Sequence, residues 1–335
     1  MRTMTALEYS YIIQNELKQL IGKRFDKIYD AGENLFRIKI GLDVTVEPGV
    51  RMNISKYIEK TDFLSGFSMK IRKELSGSRL VDVYQYNNDR IVVFEFSKGI
   101  LVFEMFGKGN IILVRDGVTV SALKNEKWAD REIKAKKEYT FPKTKTVEKL
   151  PEKLPEKYII SVMMNLPLGK QYSLEVLSRC GISEKTQANK LSEKDRECIE
   201  SEIEDIRENL SPRGFYENEK MIDYGLIQSN QKIQSKNFNS FSEAIDEYYF
   251  SNREEKSSDE EKLEKRLFKQ HESLEGLKKK EIEKRKIAEY IKSNYGKFDE
   301  ILKTAKNAKM DEIESLLKKY KAKVNKEKKE IEVDV

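Results

Sequence analysis

Asp89-Arg90 is the pair in this chain whose side chains could do chemistry. A guanidinium is a planar fork of donors matched to a phosphate or a base edge. A neighbouring carboxylate can orient it, or accept from an amino group itself. The pair closes a polar cluster, Asn87-Asn88-Asp89-Arg90, at the entrance to a long apolar run. The same residues also support a plainer reading. In that one Asp89 hydrogen-bonds its own backbone in a turn, and Arg90 begins a strand in a surface ion pair of little worth. Residue types alone leave both open.

Other candidates carry less. Gly107-Lys108-Gly109 could cradle a phosphate with backbone amides, but it reads better as a hairpin turn. His271, the one histidine, lies in a heptad pattern and reads as a solvated side chain. Cys180 and Cys198 occupy apolar positions and are too few for a disulfide framework. They read as buried inert thiols rather than a redox pair, which fits a reducing cytosol. The chain has no CxxC, HExxH, Walker A, GxSxG or Rossmann glycine series. Its carboxylates are scattered among lysines, as on solvated faces. No catalytic residue, metal or cofactor is expected.

The elements that must position Asp89-Arg90 form a meander. Ile91–Phe96 alternates as a half-buried strand does, Ser97-Lys98-Gly99 breaks it, and Ile100–Phe106 answers. Gly107–Asn110 breaks that run before Ile111–Val114, and Asp116-Gly117 turns into Val118–Leu123. Upstream, Thr5-Ala6-Leu7-Glu8 is a capping box opening a helix that stops at Gly22. Phe25–Tyr29, Leu35–Ile40, Val44–Val46 and Met52–Ser55 read as strands, and Arg79–Tyr86 as another. Ser65–Gly77 reads as a helix with Phe67, Ile71 and Leu75 on one face, leaving Arg72 and Lys73 exposed.

Residues 1–142 are therefore expected to be an α+β domain, mainly antiparallel sheet. A Lys/Glu/Pro linker follows at 143–157, then a helical module at 158–212 and a small connecting α+β segment at 213–252. Met221–Ile227 is its strand and Phe241–Phe250 its helix. Residues 253–298 carry apolar or tolerated residues at heptad spacing: Leu263, Leu267, Gln270, Leu274, Leu277, Ala288, Ile291 and Tyr295. They read as a coiled-coil arm. Residues 299–335 begin a further region, with a short helix from Asp311 and a strand at Glu330–Val335. An arm of this length needs a partner helix, so the chain reads as cut short of a returning one, which leaves a homodimer through the arms open.

Composition bounds these readings. A chain of 335 residues exceeds one ordinary core. Charged residues make up 36%, yet 64 Lys and Arg against 58 Asp and Glu leave only +6, so basic surfaces are local. No run approaches a membrane span, and the N-terminus lacks a signal-peptide core. A cytoplasmic protein is expected.

Several motifs together resemble the NFACT family, the NEMF-type ribosome quality-control factors once labelled fibronectin-binding proteins. They are the T-A-L-E helix ending at Gly22-Lys23-Arg24, the K-I-R-K-E-L of Lys70–Leu75, and the Q-Y-N-N-D-R-I-V-V-F-E-F of Gln85–Phe96. The E-M-F-G-K-G-N-I-I-L of Glu104–Leu113 and the L-G-K-Q-Y-S-L-E-V-L…G-I of Leu168–Ile182 complete the set. The resemblance implies a first domain similar in fold to the N-terminal domain of formamidopyrimidine-DNA glycosylases, a helix-hairpin-helix module, a coiled coil and a middle region. It implies partners too: the large ribosomal subunit carrying stalled peptidyl-tRNA with its nascent chain, and a charged tRNA, alanyl in bacterial and archaeal forms. Recruitment of that tRNA promotes mRNA-independent tailing. Asp89 and Arg90 fall on the family's tRNA-engaging pair, and Glu8 stands where the first helix usually carries Asp. Arg72, Lys73 and Lys108 are further candidate RNA contacts, with a solvated surface as the alternative for each. A glycosylase would need an N-terminal Pro nucleophile beside a Glu, and Met1-Arg2-Thr3 supplies neither. A surface adhesin is the other rival. A non-enzymatic RNA- and ribosome-binding factor is the expectation.

Overall fold

The computed structural model describes residues 2–32, 34–57, 64–228, 234–252, 258–307, 323–325 and 330–332. It divides into two units, Met1–Glu255 and Lys256–Val335.

In the first unit the Thr5 hydroxyl caps the Glu8 amide while Glu8 reaches back, opening helix α1 (Ala6–Asn15). The helix is shorter than its apolar spacing predicts. A 3₁₀ turn at Leu17–Leu20 replaces its last turns before Gly22, whose φ of +83° ends the element. Four antiparallel strands follow in simple meander order: β1 (Lys27–Gly32), β2 (Leu35–Ile40), β3 (Leu42–Glu47) and β4 (Arg51–Ile54). Helix α2 (Gly66–Leu75) begins at Ser65, whose amide and hydroxyl both donate to Asp30 on β1 at 2.9 and 2.8 Å. Ile71 and Leu75 are fully buried beneath it.

A second antiparallel meander comprises β5 (Leu80–Gln85), β6 (Ile91–Phe96), β7 (Gly99–Glu104), β8 (Asn110–Arg115) and β9 (Val118–Ala122). Alternation predicts that β6 is half-buried, yet Ile91, Val92, Val93 and Phe94 are all fully buried. The reason is a second covering layer. Val92, Phe94, Leu101 and Phe103 face the main core, while Ile91, Val93, Val102 and Ile112 meet Ile133 and Tyr139 of the returning chain. Short strands β10 (Glu126–Lys127) and β11 (Glu132–Ile133) belong to that cover. It is fastened by Arg131, which grips Glu104 with two nitrogens at 2.7 and 2.8 Å, and by the Tyr139 hydroxyl, which donates to the same carboxylate at 2.9 Å.

Residues 143–157 have no regular structure but lie along the next helices: the Val147 amide donates to Asn165, and Arg196 reaches the Glu152 carbonyl. Helices α3 (Ile159–Met163), α4 (Lys170–Arg179) and α5 (Glu193–Glu208) follow, and α4 packs on α5. The two cysteines are not the free thiols that their spacing suggested. Cys180, at the end of α4, is disulfide-bonded to Cys198 on α5, with Cα atoms 6.0 Å apart. Two helices folded against each other bring together residues that sequence separation alone could not pair.

Strands β12 (Arg213–Glu217), β13 (Lys220–Gly225) and β14 (Gln234–Asn237) form a small antiparallel sheet with β12 central, and α6 (Phe241–Ser251) packs on it and on β4. The apolar core runs without interruption from Met4 to Ile245. Two carboxylates stitch α6 to the N-terminal elements. Glu16 accepts the Phe241 amide at 2.6 Å, and Asp246 accepts Asn53, Ser55 and the Lys56 amide at 2.7–3.1 Å. Burial raises both carboxyl pKa values, and the donated hydrogen bonds only partly offset it. Each group thus holds its proton more readily folded than unfolded. Its effect is neutral below the unfolded pKa and grows unfavourable as pH rises through the folded one. Glu16→Gln, which keeps an acceptor oxygen for Phe241, removes that titration. Its Tm relative to wild type should therefore climb as pH rises through and above the ordinary carboxylate range. A difference that stays flat or falls over that range would refute the assignment.

In the second unit α7 (Ser258–Ser293) is followed by α8 (Tyr295–Asn307). The heptad residues Leu267, Leu274, Leu277, Ile291 and Tyr295 are exposed. The side chain of Leu263 and the helix expected from Asp311 lie outside the described residues. Strand β16 (Glu330–Glu332) pairs with β15 (Lys323–Asn325), placing a strand within the expected Glu330–Val335 stretch. Among the described residues no helix is long and apolar enough to cross a membrane.

Candidate nucleic-acid interface

Asp89 and Arg90 sit in the connection between β5 and β6. Asn87 and Asn88 adopt left-handed φ values of +49° and +52°, and the Asp89 amide donates to the Tyr86 carbonyl at 3.1 Å. Positive φ at both central residues marks a type I′ turn, set here inside the four-residue loop between Tyr86 and Ile91, and asparagine is the side-chain-bearing residue that tolerates its backbone best. Asp89 then folds onto its own chain, accepting the Arg90 amide at 2.7 Å. The Arg90 carbonyl accepts from Met105 at 2.8 Å, which ties the pair to β7. Gln85 donates from one amide nitrogen to Asp89 O at 2.8 Å and to Ala6 O at 2.9 Å. The backbone of the pair is thus locked to the first residue of α1.

Both side chains remain half-exposed, and among the described residues no ion pair involves either of them. The turn-forming Asp and the unpaired Arg turn out to be one arrangement, because backbone capping engages one Asp89 oxygen and leaves the guanidinium in no ion pair among the described residues. Burial drives the pKa of the fully buried Tyr9 phenol well above its ordinary value, and the Arg90 charge partly offsets this. The Tyr9 hydroxyl has no hydrogen-bond partner among the described residues. Stacking of Tyr86 on Phe141, with centroids 3.9 Å apart, stiffens the turn from outside.

Glu8 lies on the same end of α1 but is fully buried. Its carboxylate accepts from the Thr5 amide at 2.7 Å, from the Tyr172 hydroxyl at 2.7 Å, and from both terminal nitrogens of Arg2. Arg2 in turn donates to Asp223 at 2.8 Å, Gln171 at 3.0 Å and the Tyr224 carbonyl at 2.9 Å, and lies over the Tyr224 ring. Burial works against the Arg2 charge, and Glu8 outweighs it, so its pKa is raised. Gly169 caps α4 at φ +88°, where a Cβ would come within 2.6 Å of Thr5. No side chain larger than hydrogen fits between the two helix starts. Glu8 therefore offers RNA no free oxygen in this arrangement. It can act on the site only by holding α1, to which Gln85 fastens the Asp89-Arg90 turn.

The remaining candidates lie apart from this cluster. Arg72 donates to the Ile28 carbonyl at 2.8 Å and lies over Tyr29, while Lys73 is exposed on α2. Lys108 is exposed at the tip of the β7–β8 turn, whose Gly109 packs against Pro48-Gly49. That loop is a hairpin turn, and Asn110 beneath it is buried and bonded to Lys124 and Glu126. Among the described residues no group of His, Cys, Asp and Glu could hold a metal ion. Sequence reasoning missed Arg2, Gln85 and Tyr172 as organisers of the site. Gln85 and Tyr172 do stand inside two of the motifs quoted above, Gln85 four residues from the Asp89 it fastens, whereas Arg2 carries no local signal.

Comparison with known proteins gives a consistent picture. The family described as NFACT N-terminal and middle domains matches residues 10–335. The archaeal Rqc2 homologue aRqcH of Methanocaldococcus jannaschii is 28% identical over 89% of this chain and 52% of its own length. Ribosome quality control complex subunit 2 of Schizosaccharomyces pombe is 31% identical over 33% of this chain and 12% of its own. The chain thus spans about half, or less, of the length of these relatives. Among solved structures, the fibrinogen-binding protein from Staphylococcus aureus superposes with a TM-score of 0.58 at 17% identity, covering 73% of this chain and 98% of that one. The N-terminal part of the fibronectin/fibrinogen-binding protein from Streptococcus suis gives 0.52 at 17% identity, covering 75% and 100%. At that identity the likeness is one of fold.

Proposed function

The chain belongs to the NFACT family, and we propose that it is a non-enzymatic, cytoplasmic ribosome quality-control factor that binds RNA through the Asp89-Arg90 turn. Its partners on this reading are the large ribosomal subunit with stalled peptidyl-tRNA and an incoming tRNA, alanyl by analogy with archaeal and bacterial members. The outcome is mRNA-independent extension of the nascent chain. The names of the relatives, which speak of ribosome quality control, support it. The helical module is read as helix-hairpin-helix and the arm as a coiled coil on the same family grounds. The glycosylase-like fold of the first domain is taken as kinship without bond-breaking.

One observation carries the reading. A guanidinium and a carboxylate stand half-exposed on a backbone immobilised by Gln85, Met105 and an I′ turn, and among the described residues no ion pair neutralises them. A fork held this rigidly loses little entropy on meeting a phosphate or a base edge. The test is binding to tRNA and to isolated large subunits across a salt series. Arg90→Ala should weaken tRNA binding by about tenfold or more, as expected for loss of a bidentate contact. Asp89→Ala should impair tRNA selection more than subunit docking. An Arg90→Ala protein that binds tRNA like wild type would remove the turn from the site.

A further inference from the structure

A second concentration of cationic groups lies on the first sheet, away from the Asp89-Arg90 turn. Arg24, Lys27 and Lys39 line an open cleft of about 370 Å³ with Phe25, Tyr29 and a single carboxylate, Asp26. Lys27 and Lys39 are direct cross-strand partners in the β1–β2 register. Like charges placed opposite each other in this way cost stability rather than adding to it. Lys23, Arg24, Lys27 and Lys39 are all exposed, and among the described residues none of them is in an ion pair.

Other cations of the unit, Lys73, Lys108 and Arg90 among them, are also in no ion pair among the described residues, so it is the clustering that sets this patch apart. Arg37, Arg51, Arg115, Arg131 and Arg179 each hold a carboxylate, and the whole chain is nearly charge-balanced. At the cleft's far corner the Arg24 guanidinium and the Lys98 ammonium both approach Gly77, which sits at φ +70°. The Lys98 ammonium also donates to the Ser76 carbonyl, which holds it beside Arg24 with further N–H donors to spare. The Tyr29 ring is flanked by Arg37 at 4.1 Å and Arg72 at 4.7 Å, so its π system is already engaged. The cleft thus offers charge without a free stacking surface. That suits a chain of phosphates rather than splayed bases.

We propose that this cleft binds the phosphodiester backbone of an RNA strand, as a second contact independent of Asp89-Arg90. The choice of RNA over an acidic peptide rests on the function proposed above. The cleft's preference for a polyanion does not. Lys27 and Lys39 contact successive phosphates, with Arg24 and Lys98 holding the strand at Gly77.

Binding of the full chain to a fluorescein-labelled oligouridylate of about 20 nucleotides, longer than common single-strand site sizes, tests it by anisotropy across a salt series. A labelled polyglutamate peptide is titrated in parallel. Lys27→Glu/Lys39→Glu should weaken oligouridylate binding at least tenfold. The neutral pair Lys27→Gln/Lys39→Gln should lower the salt slope by about 1.4, two phosphate contacts on a single strand. Arg90→Ala should reduce tRNA binding, whereas the control Lys194→Gln, exposed on α5, should leave oligouridylate binding within about twofold of wild type. Unchanged oligouridylate binding by both double variants overturns the proposal, and so does polyglutamate binding as tight as RNA and equally sensitive to the double substitution. Failure of Arg90→Ala to affect tRNA sinks the function proposed above and leaves the cleft standing.

Discussion

Glu8→Ala should lower the stability of the first unit by about 3–5 kcal/mol, the usual cost of removing one member of a buried ion pair. Glu8 is fully buried and the Arg2 side chain is only 12% exposed. Alanine would leave the Arg2 charge facing Asp223 alone, and the Tyr172 hydroxyl would lose its acceptor. The Thr5 amide would lose its partner as well, dissolving half of the capping box. Glu8→Gln keeps one acceptor oxygen, enough for Thr5 or Tyr172 but not for both, and loses the charge, so it should fall between wild type and alanine. Urea unfolding measures this as a drop in midpoint at constant m. A Glu8→Ala loss below about 1 kcal/mol would show that the cluster is solvated and the carboxylate dispensable. Any effect of Glu8→Ala on tRNA binding should track the loss of folded protein and disappear at temperatures where the variant is fully folded.

Gly109→Ala should be comparably damaging, at about 3 kcal/mol or more, from two additive sources. Its φ is +63°, a conformation that costs any L side chain. A Cβ there would also come within 2.1 Å of the Pro48 carbonyl carbon and 2.2 Å of the Gly49 nitrogen, both backbone atoms with little freedom to yield. The neighbouring Gly107 has a similar φ of +58° but open space around its Cβ position. Gly107→Ala should therefore cost only the backbone strain, about 1–2 kcal/mol. The comparison isolates packing from conformation in one turn. Equal losses at the two positions, read by thermal or urea unfolding, would mean that the Pro48-Gly49 contact contributes nothing.

Much of the first unit was legible because glycine and asparagine punctuate it. Gly41, Gly49, Gly107, Gly117 and the Asn87-Asn88 pair each stand at a turn of positive φ, and the strands between them follow almost residue for residue. What could not be read was which faces are covered. The extra layer over β6 and β7 comes from residues around Ile133 and Tyr139, whose own sequence shows no strong period. Strands β12 and β14 were invisible for a related reason: Gln234–Asn237 is wholly polar and mostly exposed, and Arg213–Glu217 sets only Phe215 and Tyr216 between polar ends and a glycine, so tertiary pairing outweighs propensity. Glu8 illustrates the limit within the candidate site. Its capping role was visible three residues away at Thr5, but its burial depends on Arg2, Tyr172 and Asp223, brought together only by the fold. The cysteines failed likewise, since the packing of α4 on α5 decides the pairing.

The Arg2 cluster also constrains the order in which the molecule can be made. Arg2 is fastened to Asp223 and Tyr224, its carbonyl accepts the Tyr249 hydroxyl at 2.9 Å, and Glu16 receives the first amides of α6. During synthesis, Arg2 and Glu16 must wait for some two hundred and more later residues before Asp223, Tyr224 and the α6 amides can reach them. This unit therefore cannot mature vectorially from α1 onward. Until the α6 segment clears the exit tunnel, the nascent chain carries an open seam along α1, a window in which chaperone engagement or a slow final docking step would be recorded.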